Sequence, residues 1–357
     1  MNIAWPITKI TRLLHIELPI IQAPMAGGVT TPALVAAVSN AGGLGSLGAG
    51  YMSAAEIKNN IQEIRALTDK PFAVNLFIPE KHRATDEQME RARRAVQTSC
   101  AALNVMIDSV KPPYSPSFEA QMEMIIDEKV PIFSFTFGVP SESWIKIFKK
   151  NNIILIGTAT SLEEALYLEK NGVDVIVAQG SEAGGHRGTF LGQAEDSLHD
   201  VLSLIRFLID KVSVPVVAAG GVMDAKSICS ALASGASAVQ MGTAFLCCDE
   251  SGISSCYKKT LLNATHDNTT LTRAFSGKLA RGVTNEFITR MQLFEKDILD
   301  YPIQNALTTA MRKEANRQSN PNFMSMWAGQ AFRLCRELPA AQLIGELINE
   351  VSHFLLR

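Results

Sequence analysis

A single histidine stands inside a glycine-rich run, Ser181-Glu182-Ala183-Gly184-Gly185-His186-Arg187-Gly188. Glycines on both sides leave an imidazole accessible, and with an ordinary pKa of about 6.5 it can serve near neutrality as base or cation. His186 is therefore the candidate catalytic residue. Glu182 and Arg187 flank it as charges of the kind that mostly stay solvated. Two further loops, Ala219-Gly220-Gly221 and Gln240-Met241-Gly242-Thr243, offer bare backbone N–H groups. Paired glycine loops can cradle a phosphate without lysine or arginine, where a lone Gly-Gly makes only a tight turn. Asn75 and Gln179 are amides that both donate and accept, which suits a heterocycle presenting both. Met25 reads as a core filler, of interest only for its place in Ala23-Pro24-Met25-Ala26-Gly27-Gly28. Lys278 and Arg281, in Ser-Gly-Lys-Leu-Ala-Arg-Gly, are candidate contacts for an anionic substrate. The vicinal pair Cys247-Cys248 reads as buried, and the six cysteines show no metal-ligand spacing, so no metal is expected.

These residues need elements to hold them together. Short β-rich apolar runs occur at Ile20–Ala23, Leu44–Leu47, Phe72–Leu76, Ile132–Thr136, Ile153–Gly157, Asp174–Ala178, Pro215–Ala219 and Ala238–Met241. Their mean spacing is about 31 residues, the size of one βα unit. The runs are apolar throughout, as parallel strands buried on both faces are. Between them the helix signals are legible. Thr31 precedes Pro32, Ser53 and Glu56 make a capping box, Thr160 and Glu163 offer another, and Asp224 opens a helix that stops at Gly235. The expectation is a (β/α)8 TIM barrel, with the glycine loops, Asn75, Gln179 and His186 at its carboxyl rim and Lys278 and Arg281 in the chain beyond the last strand. Two stretches break the period. Residues 79–130 hold too much chain for one helix, and about 90 residues after Met241 carry helical signals without a clear strand. The division expected is a barrel of 1–250 plus 331–357 and a smaller, mostly helical insertion at 251–330. The final helix, near Ala340–Leu356, reads as the eighth barrel helix.

Composition narrows the function classes. The chain has 357 residues, 47% hydrophobic and 19% charged, enough to bury a large core. Its 33 lysines and arginines against 35 acids give a formal charge of −2. That balance supplies no broad attraction to nucleic acid or to an anionic membrane. No apolar run approaches the ~18 residues of a membrane span, and Met1–Arg12 lacks the order of a signal peptide. A cytoplasmic enzyme with a small-molecule substrate is the class expected, as monomer or homodimer.

Taken together, the motifs resemble the nitronate monooxygenase family, formerly the 2-nitropropane dioxygenases. The matching pieces are Gln-Ala-Pro-Met-Ala-Gly-Gly at 22–28, Ala-Gly-Gly-Leu-Gly at 41–45, Pro-Phe-Ala-Val-Asn at 71–75, the 181–188 run, Ala-Ala-Gly-Gly-Val at 218–222 and Gln-Met-Gly-Thr at 240–243. Downstream, Ala-Phe-Ser-Gly-Lys-Leu-Ala-Arg-Gly at 274–282 and Trp-Ala-Gly-Gln at 327–330 also fit. The resemblance implies an FMN-containing barrel that oxidises an alkyl nitronate (and by extension a nitroalkane) with O2 to a carbonyl compound and nitrite. It implies that Asn75, Gln179, Gly184, Gly220, Gly221, Gln240, Met241, Gly242 and Thr243 hold FMN, that Ala23, Pro24 and Met25 lie beside the isoalloxazine, and that His186 is catalytic. Lys278-Leu279 stands where the family more often carries Arg-Pro. Related flavin-dependent enoyl-ACP and quinone reductases share the Ala-Gly-Gly-His element, so an NAD(P)H-dependent reductase is the alternative. A non-catalytic phosphate- or nucleotide-binding barrel is the third reading.

Overall fold

A computed structural model of the chain describes residues 5, 7–80 and 83–355. Eleven strands occur among them: β1 (Ile20–Gln22), β2 (Gly45–Gly48), β3 (Phe72–Phe77), β4 (Ile132–Thr136), β5 (Ile154–Ala159), β6 (Val175–Gln179), β7 (Gly185–His186), β8 (Val216–Ala219), β9 (Ala238–Met241), β10 (Thr269–Thr272) and β11 (Ala280–Val283). Eight of these pair in parallel in the order β1-β9-β8-β6-β5-β4-β3-β2. The circle closes where Ile21 bridges Leu44, through Leu44 N to Ile20 O and Gln22 N to Leu44 O, both 2.9 Å. The molecule is a TIM barrel, as the 31-residue spacing predicts.

The two-residue period of a strand sorts the barrel's side chains by parity. Ala73, Ile132, Ile156, Val175, Val177, Val217 and Ala238 point inward and pack together; Ile10, Leu14 and Ile16, in and after the helix Lys9–Leu14, join the same cluster. Their neighbours Val74, Phe133, Leu155, Ile176, Val216 and Val239 point outward into the layer of helices. The helix starts follow the sequence signals. Thr31 caps with Pro32 behind it, Ser53 and Glu56 form the reciprocal box, and Asp224 caps Ala225–Ala233. One cap lies a residue later than expected. Ser161, not Thr160, accepts from Glu164 N, which frees the fully buried Glu164 carboxylate to take Thr160 N and the N–H groups of Phe190 and Leu191. The helix Ala340–Leu355 packs on Pro32–Asn40 and Ala225–Ala233, in the place of an eighth barrel helix.

The region after Met241 is helical but not without strands. β10, β11 and β7 form a small antiparallel sheet, with Thr269 opposite Val283 and His186 opposite Ala280. Each of these strands has four residues or fewer, too short to show an alternation in sequence, and β7 exists only through its pairing. A second apolar cluster unites Ala92, Val96, Leu103 and Ile107 with Phe275, Phe287, Met311 and Phe323. The two stretches that interrupt the βα period therefore share one core.

Candidate active site

The inward parity of the strands ends, at the carboxyl rim, in residues that are no longer aliphatic. Asn75 and Phe77 of β3, Ser134 and Thr136 of β4, Thr158 of β5 and Gln179 of β6 all line one cavity of about 480 Å3. The loops predicted from sequence surround it. Ala23, Pro24, Met25, Gly184, His186, Gly220, Gly221, Gln240, Gly242 and Thr243 are in its wall. Met241 is not: one residue out of phase with Gln240, it is buried in the outer core, and only its carbonyl serves the rim, accepting from Ala23 N at 2.9 Å.

Gly220 and Gly221 take φ values of 121° and 68°, a region costly for side-chain-bearing residues. Their N–H groups, with those of Gly242 and Thr243, find no acceptor among the described residues. Four free backbone donors at one rim are the chemistry that an anion-binding nest uses. The helical contribution is small: Thr243–Phe245 is one turn of 3-10 helix, and the helix starting at Ala225 is capped by its own Asp224. The arrangement is therefore a backbone nest. Asn75 spends Nδ2 on Ser134 Oγ (3.0 Å), while its Oδ1 and the Gln240 side chain make no hydrogen bond among the described residues. Gln179 is committed. Its Nε2 donates to His186 O at 2.9 Å and its Oε1 accepts from Gly188 N at 2.7 Å, so it fixes the histidine loop.

His186 is held from three sides. Its backbone pairs in β7, and its Nε2 lies 2.8 Å from Ser276 Oγ. Ser276 Oγ lies 3.1 Å from Lys278 O and accepts from Lys278 N at 3.3 Å. With the hydroxyl proton given to that carbonyl, the imidazole proton belongs on Nε2 and Nδ1 keeps its lone pair. Aromatic rings crowd it: Trp327 at 5.4 Å, Phe137 at 5.8 Å, and Phe77 and Tyr301 at 6.4 Å between centroids. Burial, helped by the charges of Lys278 and Arg312, pushes the ring's pKa down to about 3. In the free protein the neutral imidazole is favoured over the cation.

The two sequence-predicted cations stand outside the cavity wall. Lys278 pairs with Glu80 and lays its Nζ 4.5 Å over the Phe137 ring, behind the rings around His186. Arg281 is buried, donating to Ser181 O (2.8 Å) and Thr269 Oγ1 (3.3 Å), so it ties the glycine loop to β10. Arg187 is likewise not solvated; fully buried, it donates to Gly180 O and Ser197 O. The glycine loop meets a neighbour too: a Cβ on Gly184 would come 2.5 Å from Gly329 N.

Sequence reading missed Tyr51, Phe77, Phe137, Trp327 and Arg312, all in the wall. Phe77 was legible in principle, two residues past Asn75 on the same face. Trp327 was marked only as part of the Trp-Ala-Gly-Gln match and given no place in the site, and Arg312 carried no signal, since both come from the stretch after the barrel strands. Phe137 has an unusual backbone, φ 76°, which turns the chain sharply at the end of β4.

The nitronate monooxygenase family model matches residues 8–350 of the chain. A probable nitronate monooxygenase of Staphylococcus aureus (strain MSSA476) is 45% identical over 352 residues, 98% of this chain and 99% of that protein. Among solved structures, nitroalkane oxidase from Streptomyces ansochromogenes superposes with a TM-score of 0.89 at 38% identity, covering 98% of this chain and 99% of that one. FabK from Thermotoga maritima has a TM-score of 0.78 at 30% identity, covering 98% and 97%.

Proposed function

The chain belongs to the nitronate monooxygenase family, a family of flavoenzymes, and from its oxidoreductase character and the likeness to a nitroalkane oxidase we propose that it oxidises alkyl nitronates with FMN and O2, releasing a carbonyl compound and nitrite. The observation that carries the reading is the pairing of a four-donor nest with a ring-lined pocket around a neutral histidine in one cavity.

The residues present fit FMN. The free N–H groups of Gly220, Gly221, Gly242 and Thr243 suit its phosphate, and Asn75 Oδ1 and Gln240 offer unspent polar atoms to a ring that both donates and accepts. Ala23, Pro24 and Met25 give an apolar edge for the flat ring. Bound there, the flavin supplies the redox chemistry with O2. The chain's own part is positioning. The aromatic rings exclude water around His186, and its Nδ1 lone pair can accept a hydrogen bond or a proton. A preformed nitronate has already lost its α-proton, so a weakly basic imidazole suffices for it.

The test is anaerobic. Purified protein should carry noncovalent FMN that a nitronate bleaches rapidly and NADH or NADPH only slowly. Faster bleaching by a pyridine nucleotide would overturn the oxidase reading in favour of a reductase, and a colourless protein would remove the cofactor.

A further inference from the structure

The helix Thr309–Arg317 lends Thr309, Arg312, Lys313 and Asn316 to the cavity wall. Arg312 is a cation there with no acidic partner among the described residues. Its Nη2 donates to Asn305 O (2.8 Å), Asn305 Oδ1 (2.9 Å) and Thr309 Oγ1 (3.2 Å), all neutral acceptors. Its Nε is sealed and has no acceptor, and its Nη1 makes no hydrogen bond, in both cases among the described residues. The carboxylate nearest in sequence, Glu314, pairs with Arg317 instead. Arg290 and Arg317, on either side of it in sequence, have Glu286 and Glu314.

A guanidinium set into a wall without a counter-charge is costly unless something else supplies the anion. The groups around Arg312 do not. Tyr51, also in the wall, is the one ionisable neighbour that opposes the effect of burial on it, and burial raises that phenol to about 12, so it stays a neutral donor. His186 feels the charge of Arg312 and stays neutral as well. A nitronate carries its charge on two oxygens of one planar group. That shape suits a guanidinium as a carboxylate does.

We propose that Arg312, assisted by the Tyr51 hydroxyl, is the specificity-determining anion receptor of this cavity, taking the two oxygens of the nitronate and so selecting it over the neutral nitroalkane. The assignment rests on the nitronate reading for its substrate. The receptor itself can be tested without turnover.

Nitrite, a small planar anion with two oxygens on nitrogen, is the probe. Its binding to the FMN-loaded protein is followed by calorimetry and by the visible spectrum. Arg312→Met should weaken nitrite roughly 10- to 100-fold, and Arg312→Lys, which keeps the charge but loses the fork, by about 3- to 10-fold. Arg317→Met, exposed on the same helix and outside the cavity wall, should change it less than about two-fold. In kinetics, KM for ethyl nitronate should rise in parallel while kcat and any activity on nitroethane stay near wild type. A residue that merely braced the helix would not split KM from kcat in this way. Unchanged nitrite affinity in Arg312→Met overturns the receptor; should that variant not fold, unchanged affinity in Arg312→Lys does so. If Arg312-dependent nitrite binding is found in a protein that does not turn nitronates over, the functional reading fails and the receptor stands. Nitronate turnover with an unaltered KM in the variants leaves the functional reading standing and removes the receptor.

Discussion

In the free enzyme the imidazole of His186 should remain uncharged across the whole pH range in which the protein can be assayed. A histidine at its ordinary value is about three-quarters protonated at pH 6. With the pKa pushed down to about 3, roughly one ring in a thousand is protonated at that pH. Since kcat/KM reports the free enzyme, its profile for a preformed nitronate should stay flat within about two-fold from pH 5 to 8. The substrate's own protonation, followed in buffer alone, must first be divided out. The profile of kcat reads the complex instead, where a bound anion beside the ring raises its pKa. An inflection near 6.5 in kcat/KM that vanishes in His186→Asn would refute the burial argument and restore a cationic histidine. Stability gives an independent readout with a definite sign. Above about pH 7.5 the ring is almost wholly neutral folded or unfolded and contributes nothing to the pH dependence. As pH falls from 6.5 towards 3, the unfolded chain takes up a proton the folded one refuses, and stability is lost. His186→Asn should lose less across that window in urea titrations.

Three other substitutions test the scaffold. Gly221→Val forces a β-branched residue to φ 68°, a strain of about 1–2 kcal/mol; the flavin-to-protein absorbance ratio should fall, and full occupancy in a folded variant would count against the nest. Gln179→Leu removes both bonds that fix His186 O and Gly188 N; kcat/KM should drop roughly 10- to 100-fold, at about 1 kcal/mol per bond, and wild-type kinetics would show that the loop is held otherwise. Gly345→Ala lies inside the helix Ala340–Leu355 with open space at its Cβ; it should stabilise by about 0.5–1 kcal/mol, measured as a raised urea midpoint, and a lowered midpoint would mean that the position is already packed.

Sequence reading reached furthest where one local rule acts alone. The eight barrel runs are apolar on both sides and follow the βα spacing, so they could be placed to within a residue or two. The glycine loops at 181–188, 220–221 and 242–243 were legible because a strand end followed by glycine has few meanings. Parity was available and unused. It separates Met241 from Gln240 and Gly242, and it brings Phe77 in with Asn75. Lys278 and Arg281 misled for another reason. A cation near a loop can serve a ligand or the loop, and only the fold shows Glu80 against the one and Ser181 O against the other. Arg312 reads in sequence as an ordinary solvated charge on a polar helix, between Met311 and Lys313. The structure alone shows that it lines the cavity and has no acid partner among the described residues.

The interrupting segments explain why the site looks as it does. Residues 78–131 leave the barrel after β3 and residues 242–339 after β9, and both depart from carboxyl ends, so both emerge on the rim that carries the cavity. Neither segment closes its apolar surface alone. Val96 and Ile107 of the first pack in one cluster with Phe275, Phe287 and Met311 of the second. Phe275 adjoins Ser276, the partner of His186, and Met311 adjoins Arg312. Thus part of the insertion at 79–130, which sequence left without a role, packs against the chain neighbours of Ser276 and Arg312. A loss of packing at Val96 would be felt at the site through rigid neighbours, not through contact with any ligand. The barrel strands and the turns that follow them supply the nest, the polar strand ends and the rings of Tyr51, Phe77 and Phe137, and the segment after β9 adds Trp327 and the guanidinium of Arg312.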